Sequence, residues 1–166
     1  PKSLLRHPAA TSSVSDLTDR GFQLVIDDRA VGTSIKPADA ITSVLLCSGK
    51  VYYDLAEHRS ANQIDDTALI RVEQLYPFPQ EDVEQLIARY PQASFTWVQE
   101  EPQNNGAWWF VSDWARTHFD RELRYIGRPA NDSPAVGSST VHQEEQQALL
   151  AEAFGTRTTA PAAVTR

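Results

Sequence analysis

The chain has 166 residues and a formal charge of −7, with 41% hydrophobic and 22% charged residues, 7 Gly, 10 Pro, a single Cys and no Met. This is globular composition, and it excludes collagen-like, coiled-coil and wholly disordered chains. One cysteine excludes an internal disulfide framework and a multi-cysteine zinc site, and the acidic balance argues against a surface built to hold nucleic acid or anionic lipid.

Pro1 to Pro8 carry no apolar signal-peptide core. No apolar run approaches the roughly 18–20 residues that span a bilayer. The missing Met leads us to expect a piece of a longer chain. Residues 1–41 read as a linker that leans on neighbouring structure. Within them Thr11 to Ser15 is a polar loop, and Phe22-Gln23-Leu24-Val25-Ile26 is a short strand stopped by Asp27-Asp28.

Residues 42–155 read as one α/β domain. Ser43 to Ser48 is a nearly continuous apolar run, which suits a strand buried on both faces. Residues 51–60 follow at helical spacing, with Val51 and Leu55 on one face. Ala68 to Val72 is a second strand of this domain. Pro79 opens a helix through about Tyr90, because proline suits a first turn and Glu81 and Asp82 suit the positive end of the dipole. Val83, Leu86, Ile87 and Tyr90 give its core-facing stripe. Phe95 to Val98 is a further strand, Gly106 to about Phe119 an aromatic-rich helix, and Leu123 to Ile126 the last strand. Thr140-Val141-His142-Gln143 has the form of a capping box for a final helix that stops at Gly155. Residues 156–166 read as a disordered tail.

Strands alternating with helices predict a mostly parallel sheet with helices on its faces, joined by right-handed crossovers. In such a sheet the loops after the strands share one rim, where ligands bind. Ser48-Gly49-Lys50 lies on that rim. It reads either as an anion cradle at a helix N-terminus or as a cap, a turn and a solvated lysine. Arg124 and Arg128 read either as a pair aimed at a phosphate or carboxylate or as surface cations. Glu100 and Glu101 face opposite sides of a strand, which argues for an ion pair rather than a carboxylate dyad. No pair among His7, His58, His118 and His142 has helical metal-ligand spacing, and Cys47 ends an apolar strand as an inert small hydrophobe. Trp108, Trp109 and Trp114 point in several directions on one helix, so some of them are expected at an interface. No catalytic triad order, dinucleotide fingerprint or metal cluster is visible.

Six segments carry a resemblance. Pro1 to Pro8, Leu46 to Leu55, Arg71 to Pro79, Gln99 to Trp108, Tyr125 to Ala130 and Val141-His142-Gln143 closely resemble the C-terminal part of 2-oxoglutarate dehydrogenase E1 components. Asn105, where that family has Gln, and Gly137 to Thr140, where it is bulkier, depart from the pattern. The resemblance implies a transketolase C-terminal-like three-layer sandwich. It implies a parent enzyme that uses thiamine diphosphate and magnesium, bound outside this segment, to decarboxylate 2-oxoglutarate. That enzyme passes the succinyl group to the lipoyl arm of the E2 dihydrolipoyl succinyltransferase, within the tricarboxylic acid cycle. Partners implied are the other domains of the same E1 chain and a second E1 chain in a homodimer. No catalytic or thiamine-binding residue is carried over to this segment, and the isolated piece is expected to be inactive. Some family members bind acetyl-CoA or AMP in this domain, which makes Ser48, Lys50, Arg124 and Arg128 candidate effector-binding residues. A regulatory nucleotide-binding module, or the E1 of a related acid such as 2-oxoadipate, are the alternatives. The implied location is the bacterial cytoplasm, or the mitochondrial matrix in a eukaryote.

Overall fold

A computed structural model of the chain describes residues 2–19, 21–119 and 122–155. The expected tail, 156–166, lies outside them. Five strands form one sheet: β1 (Val25–Ile26), β2 (Ser43–Cys47), β3 (Thr67–Val72), β4 (Ser94–Pro102) and β5 (Leu123–Arg128), in the order β1-β3-β2-β4-β5. β2 through β5 pair in parallel, and β1 adds an antiparallel edge. The mostly parallel α/β expectation is borne out, as a three-layer sandwich.

The helices are α1 (Val14–Thr18), α2 (Val51–Ala61), α3 (Gln80–Ala88), α4 (Trp108–His118) and α5 (Ser139–Ala153). Strand alternation divides the core into two layers. Val44, Leu46, Ala68, Ile70, Phe95 and Trp97 face α3 and α4, where Val83, Ile87, Val111 and Trp114 meet them. Leu45, Cys47, Leu69, Val98 and Ile126 face α2 and α5, against Val51, Leu55, Leu149 and Ala153. The unbroken apolar run in β2 follows from burial on both sides.

Two helix starts differ from expectation. Ser48 caps nothing: α2 begins after Lys50 with no side-chain cap, because Gly49, at φ +75°, turns the chain past Ser48. α5 begins earlier than Thr140, with Ser138 Oγ accepting the Val141 N–H at 3.5 Å. Thr140 is therefore inside the helix, and its spacing to Gln143 is not a capping box. Helix α3 stops at Ala88, and Tyr90, fully buried beyond it, donates its hydroxyl to Asp27 at 2.7 Å.

Residues before Ile41 are tied to the sheet. The Asp28 carboxylate is buried, pairs with the buried Arg59 of α2 and accepts the Leu69 N–H of β3 at 2.8 Å. It takes over the outer edge of β3 where the two-residue β1 ends.

Candidate functional site

The topology singles out one place. From β2 the chain crosses through α2 to β3 on one side; from β4 it crosses through α4 to β5 on the other. The two crossovers run in opposite directions on opposite faces, as crossovers of one hand require. The carboxyl ends of β2 and β4 therefore flank a switch point, the usual ligand crevice of an open α/β sheet.

Lys50 fills this crevice. Its Nζ donates to Asp54 Oδ2 at 2.5 Å and to Glu100 Oε1 at 3.1 Å. Burial opposes its charge, but the hydrogen bonds to the two carboxylates outweigh that and raise its pKa. Asp54 Oδ2 also accepts Gln146 Nε2 of α5 at 3.0 Å. Next along the rim, the buried Arg128 sets its Nε 2.9 Å from Glu145 Oε2, and its Nη2 lies 2.7 Å from His142 Nδ1. His142, Glu145, Gln146 and Leu149 follow the i, i+3, i+4, i+7 spacing of one helix face. Helix α5 is thus strapped over the rim by its polar residues and seated in the core by Leu149.

The adjoining loop is held by Gln99, which is buried. Its Nε2 donates to the carbonyls of Glu101, Pro102 and Asn105, and its Oε1 accepts Trp97 Nε1 and the Trp108 N–H, each at 3.0 Å. Gly106 sits above it at φ +66°, where a Cβ would come within 2.9 Å of the Gln99 amide.

Of the four sequence-derived site residues, Ser48, Lys50 and Arg128 lie on the carboxyl rim, with Ser48 half-buried beside the turn. Arg124 does not join them. It stands exposed at the start of β5, four residues and about 13 Å along the strand from Arg128. The neighbours of the rim cations were missed in the sequence. Asp54 is four residues from Lys50 and was recoverable as a helical i, i+4 pair. Glu145 and Gln146 come from the far end of the chain, and nothing local announces them. The rim holds two cations, Lys50 and Arg128, among three carboxylates, Asp54, Glu100 and Glu145. Its carboxylates outnumber its cations by one, so it is not an open cationic pocket.

A second hollow, about 760 Å³, lies between the N-terminal segment, the start of α2 and the end of β3. Arg71 stands in its wall, its guanidinium 4.4 Å over the Tyr52 ring and its Nε 3.6 Å from Glu73. The histidines pack: His7 against Tyr53, His58 against Phe154 and His118 against Trp114. Burial pushes the Cys47 thiol up to about 12, which removes it as a nucleophile near neutral pH. Among the described residues no group of three His, Cys, Asp or Glu could hold a metal ion. No described helix is long and apolar enough to cross a membrane.

On the opposite face the aromatic helix behaves as its spacing predicts. Trp114 is buried and Trp108 packs on Tyr125 at 5.0 Å, while Trp109 is 62% exposed. Phe110, also exposed, lies 6.2 Å from the exposed Tyr76, and Phe78 bridges from Phe110 to Trp114. These rings form a ledge running from the core to the surface.

The family model for the 2-oxoglutarate dehydrogenase C-terminal region matches residues 11–154. The chain belongs to that family. It is similar to the 2-oxoglutarate dehydrogenase E1 component of Cupriavidus necator, 46% identical over 157 residues, covering 93% of this chain and 16% of that protein. It is 45% identical over 161 residues to the E1 component of Haemophilus influenzae, again covering 93% and 16%. The E1 component of Brucella anthropi is 42% identical over 167 residues, covering 93% and 17%. The chain therefore spans about a sixth of the length of these curated relatives. As a 2-oxoglutarate dehydrogenase C-terminal domain it is matched over 93% of its length by each of these relatives.

Proposed function

We propose that this chain works as the C-terminal domain of a 2-oxoglutarate dehydrogenase E1, and that its own part is assembly rather than bond-making. The parent would decarboxylate 2-oxoglutarate and pass the succinyl group to the lipoyl arm of E2, in the cytoplasm of a bacterium or the matrix of a mitochondrion. Thiamine diphosphate, with Mg²⁺, would supply the decarboxylation chemistry when bound to the parent. The family resemblance assigns both groups to the rest of the parent, and we derive no step through them. What this chain contributes is shape. The Gln99 hub fixes the loop before α4, and α4 holds the Tyr76–Phe110–Trp109 ledge outward.

The observation that carries this reading is that ledge: three large aromatic side chains exposed together on a domain whose rim charges are internally paired. The test uses the full-length E1. Trp109→Ser with Phe110→Ser is expected to weaken association of the E1 chain and to lower 2-oxoglutarate decarboxylation at least tenfold. Unchanged sedimentation and unchanged activity would contradict it.

A second reading, effector binding, has one observation in its favour. The N-terminus of α2, beside Ser48 and Lys50, has no side-chain cap, although the Tyr53 N–H of its first turn donates to the Lys50 carbonyl at 3.0 Å. An acetyl-CoA or AMP phosphate bound there would have to displace Asp54 or Glu100 from Lys50. Calorimetry with acetyl-CoA and with AMP, on the native chain and on Lys50→Ala, decides it: no heat with either ligand ends this reading.

A further inference from the structure

Four carboxylates and three guanidiniums line the hollow of about 760 Å³ between the N-terminal segment, the start of α2 and the end of β3. Most of these charges already have strong partners. Asp16 holds Arg29 at 3.0 Å, Asp28 holds Arg59, and Asp27 takes Arg89 and the Tyr90 hydroxyl. That leaves Arg71 and Glu73. They stand two residues apart at the end of β3, so they project to the same side of the chain. Arg71 Nε lies 3.6 Å from Glu73 Oε1, an ion pair without a hydrogen bond, and that Nε is buried with no hydrogen-bond partner. The Tyr52 ring covers one face of the guanidinium at 4.4 Å. Among the described residues its one hydrogen bond runs from Nη1 to the Tyr53 hydroxyl, at 3.4 Å. A guanidinium has five N–H donors, and this one is anchored by its face while its edges are nearly unused. Among the described residues no group donates a hydrogen bond to the Glu73 carboxylate either.

The pair selects the charge of a ligand. An open guanidinium edge suits two coplanar oxygens, as in a carboxylate. A ligand carrying only negative charge would meet a wall whose acids outnumber its cations by one. A ligand carrying both charges meets Arg71 with its anion and Glu73 with its cation, and each then gains the hydrogen bonds it lacks. A free α-amino acid bears a carboxylate and an ammonium on one carbon, which matches two opposite charges set side by side. Leu17 and Phe22, both largely exposed, line the same hollow and offer apolar surface to a side chain. The volume is that of a small-molecule site. We propose that this hollow binds a free α-amino acid with an apolar side chain, its carboxylate on the edge of Arg71 and its ammonium on Glu73. The site is separate from the carboxyl rim and does not rest on the assembly reading.

The test takes the two charges apart. Calorimetry on the 166-residue chain uses L-phenylalanine and L-leucine as probes, with hydrocinnamate, which lacks the ammonium, and phenethylamine, which lacks the carboxylate. Both amino acids are expected to give saturable heat at millimolar concentration, and the two half-ligands to bind at least tenfold more weakly than L-phenylalanine. Arg71→Met is expected to abolish binding. Glu73→Gln is expected to weaken L-phenylalanine at least tenfold while leaving hydrocinnamate no weaker than before. The Glu73 side chain is partly exposed and makes no hydrogen bond among the described residues, so this second variant keeps the fold and carries the test even where Arg71→Met does not. No heat with either amino acid overturns the proposal. So does hydrocinnamate binding as tightly as L-phenylalanine, or L-phenylalanine binding unchanged in Glu73→Gln.

Discussion

Asp28 accepts four hydrogen bonds, from Nη1 and Nη2 of Arg59, from the Leu69 N–H and from the Ala30 N–H. Its side chain is only 3% exposed. Removing one charge of such a buried pair strands the other, which costs about 3–5 kcal/mol. Asp28→Asn is therefore expected to lose about that much stability in urea unfolding, and a loss under about 1 kcal/mol would contradict the clamp. Cys47 gives a pH prediction. Its folded-state thiol titrates near 12 rather than at the ordinary 9.0, because burial disfavours the thiolate. Above pH 9 the unfolded chain sheds this proton and the native one keeps it, so its contribution to stability is complete below 9 and declines from there towards 12. Iodoacetamide is expected to leave Cys47 unlabelled in the native chain at pH 8 and to label it once urea unfolds the protein. Labelling at equal rates in both states would refute this. At this scale the sequence was only partly readable. The inert Cys47 could be read from its apolar strand, whereas the partner of Asp28 lies 31 residues away on a helix and has no local signature.

The elements themselves were legible because burial writes a period into sequence. β2 reads as a continuous apolar run because both its faces are covered, and α3 shows Val83 and Ile87 one turn apart because one face is covered. β1 was found from Phe22 to Ile26, but only Val25 and Ile26 pair, since Asp28 replaces strand hydrogen bonds with side-chain ones. The ends of helices were less legible. Ser48 and Thr140 are good capping residues by type, yet Gly49 turns the chain after Ser48, and Ser138 captures the first turn ahead of Thr140. The loop into α4 offers a test at this scale. Gly106 combines positive φ with a Cβ position 2.9 Å from Gln99. Gly106→Ala must strain the backbone and push the Gln99 amide from its carbonyls, at a cost of about 1–3 kcal/mol. Thermal unfolding is expected to show a Tm lowered by several degrees, with hydrogen exchange speeding first at Asn105 to Trp108. A variant as stable as the native chain would remove Gln99 from its place as the hub.

Across the whole molecule the division of labour is spatial. The carboxyl rim is closed by its own charges: Lys50 between Asp54 and Glu100, and Arg128 between Glu145 and His142. The face with α4 is open and aromatic. The sequence located the rim, through the strand–helix alternation, but not the carboxylates paired with its cations, since Glu145 and Gln146 reach it from α5 by tertiary folding alone. It also marked the aromatic helix, because three tryptophans at positions 108, 109 and 114 cannot share one buried face. The proposed assembly role rests on the exposed ledge, set against a rim whose cations already face carboxylates of the same chain. The most direct measurement exchanges the matching segment of the Cupriavidus necator E1 component for this chain and follows sedimentation and 2-oxoglutarate decarboxylation together. The hybrid is expected to assemble and turn over within a fewfold of the native E1, while the 166-residue chain alone, given thiamine diphosphate and Mg²⁺, shows no turnover. A soluble hybrid that neither assembles nor turns over, or turnover by the chain alone, would contradict the account.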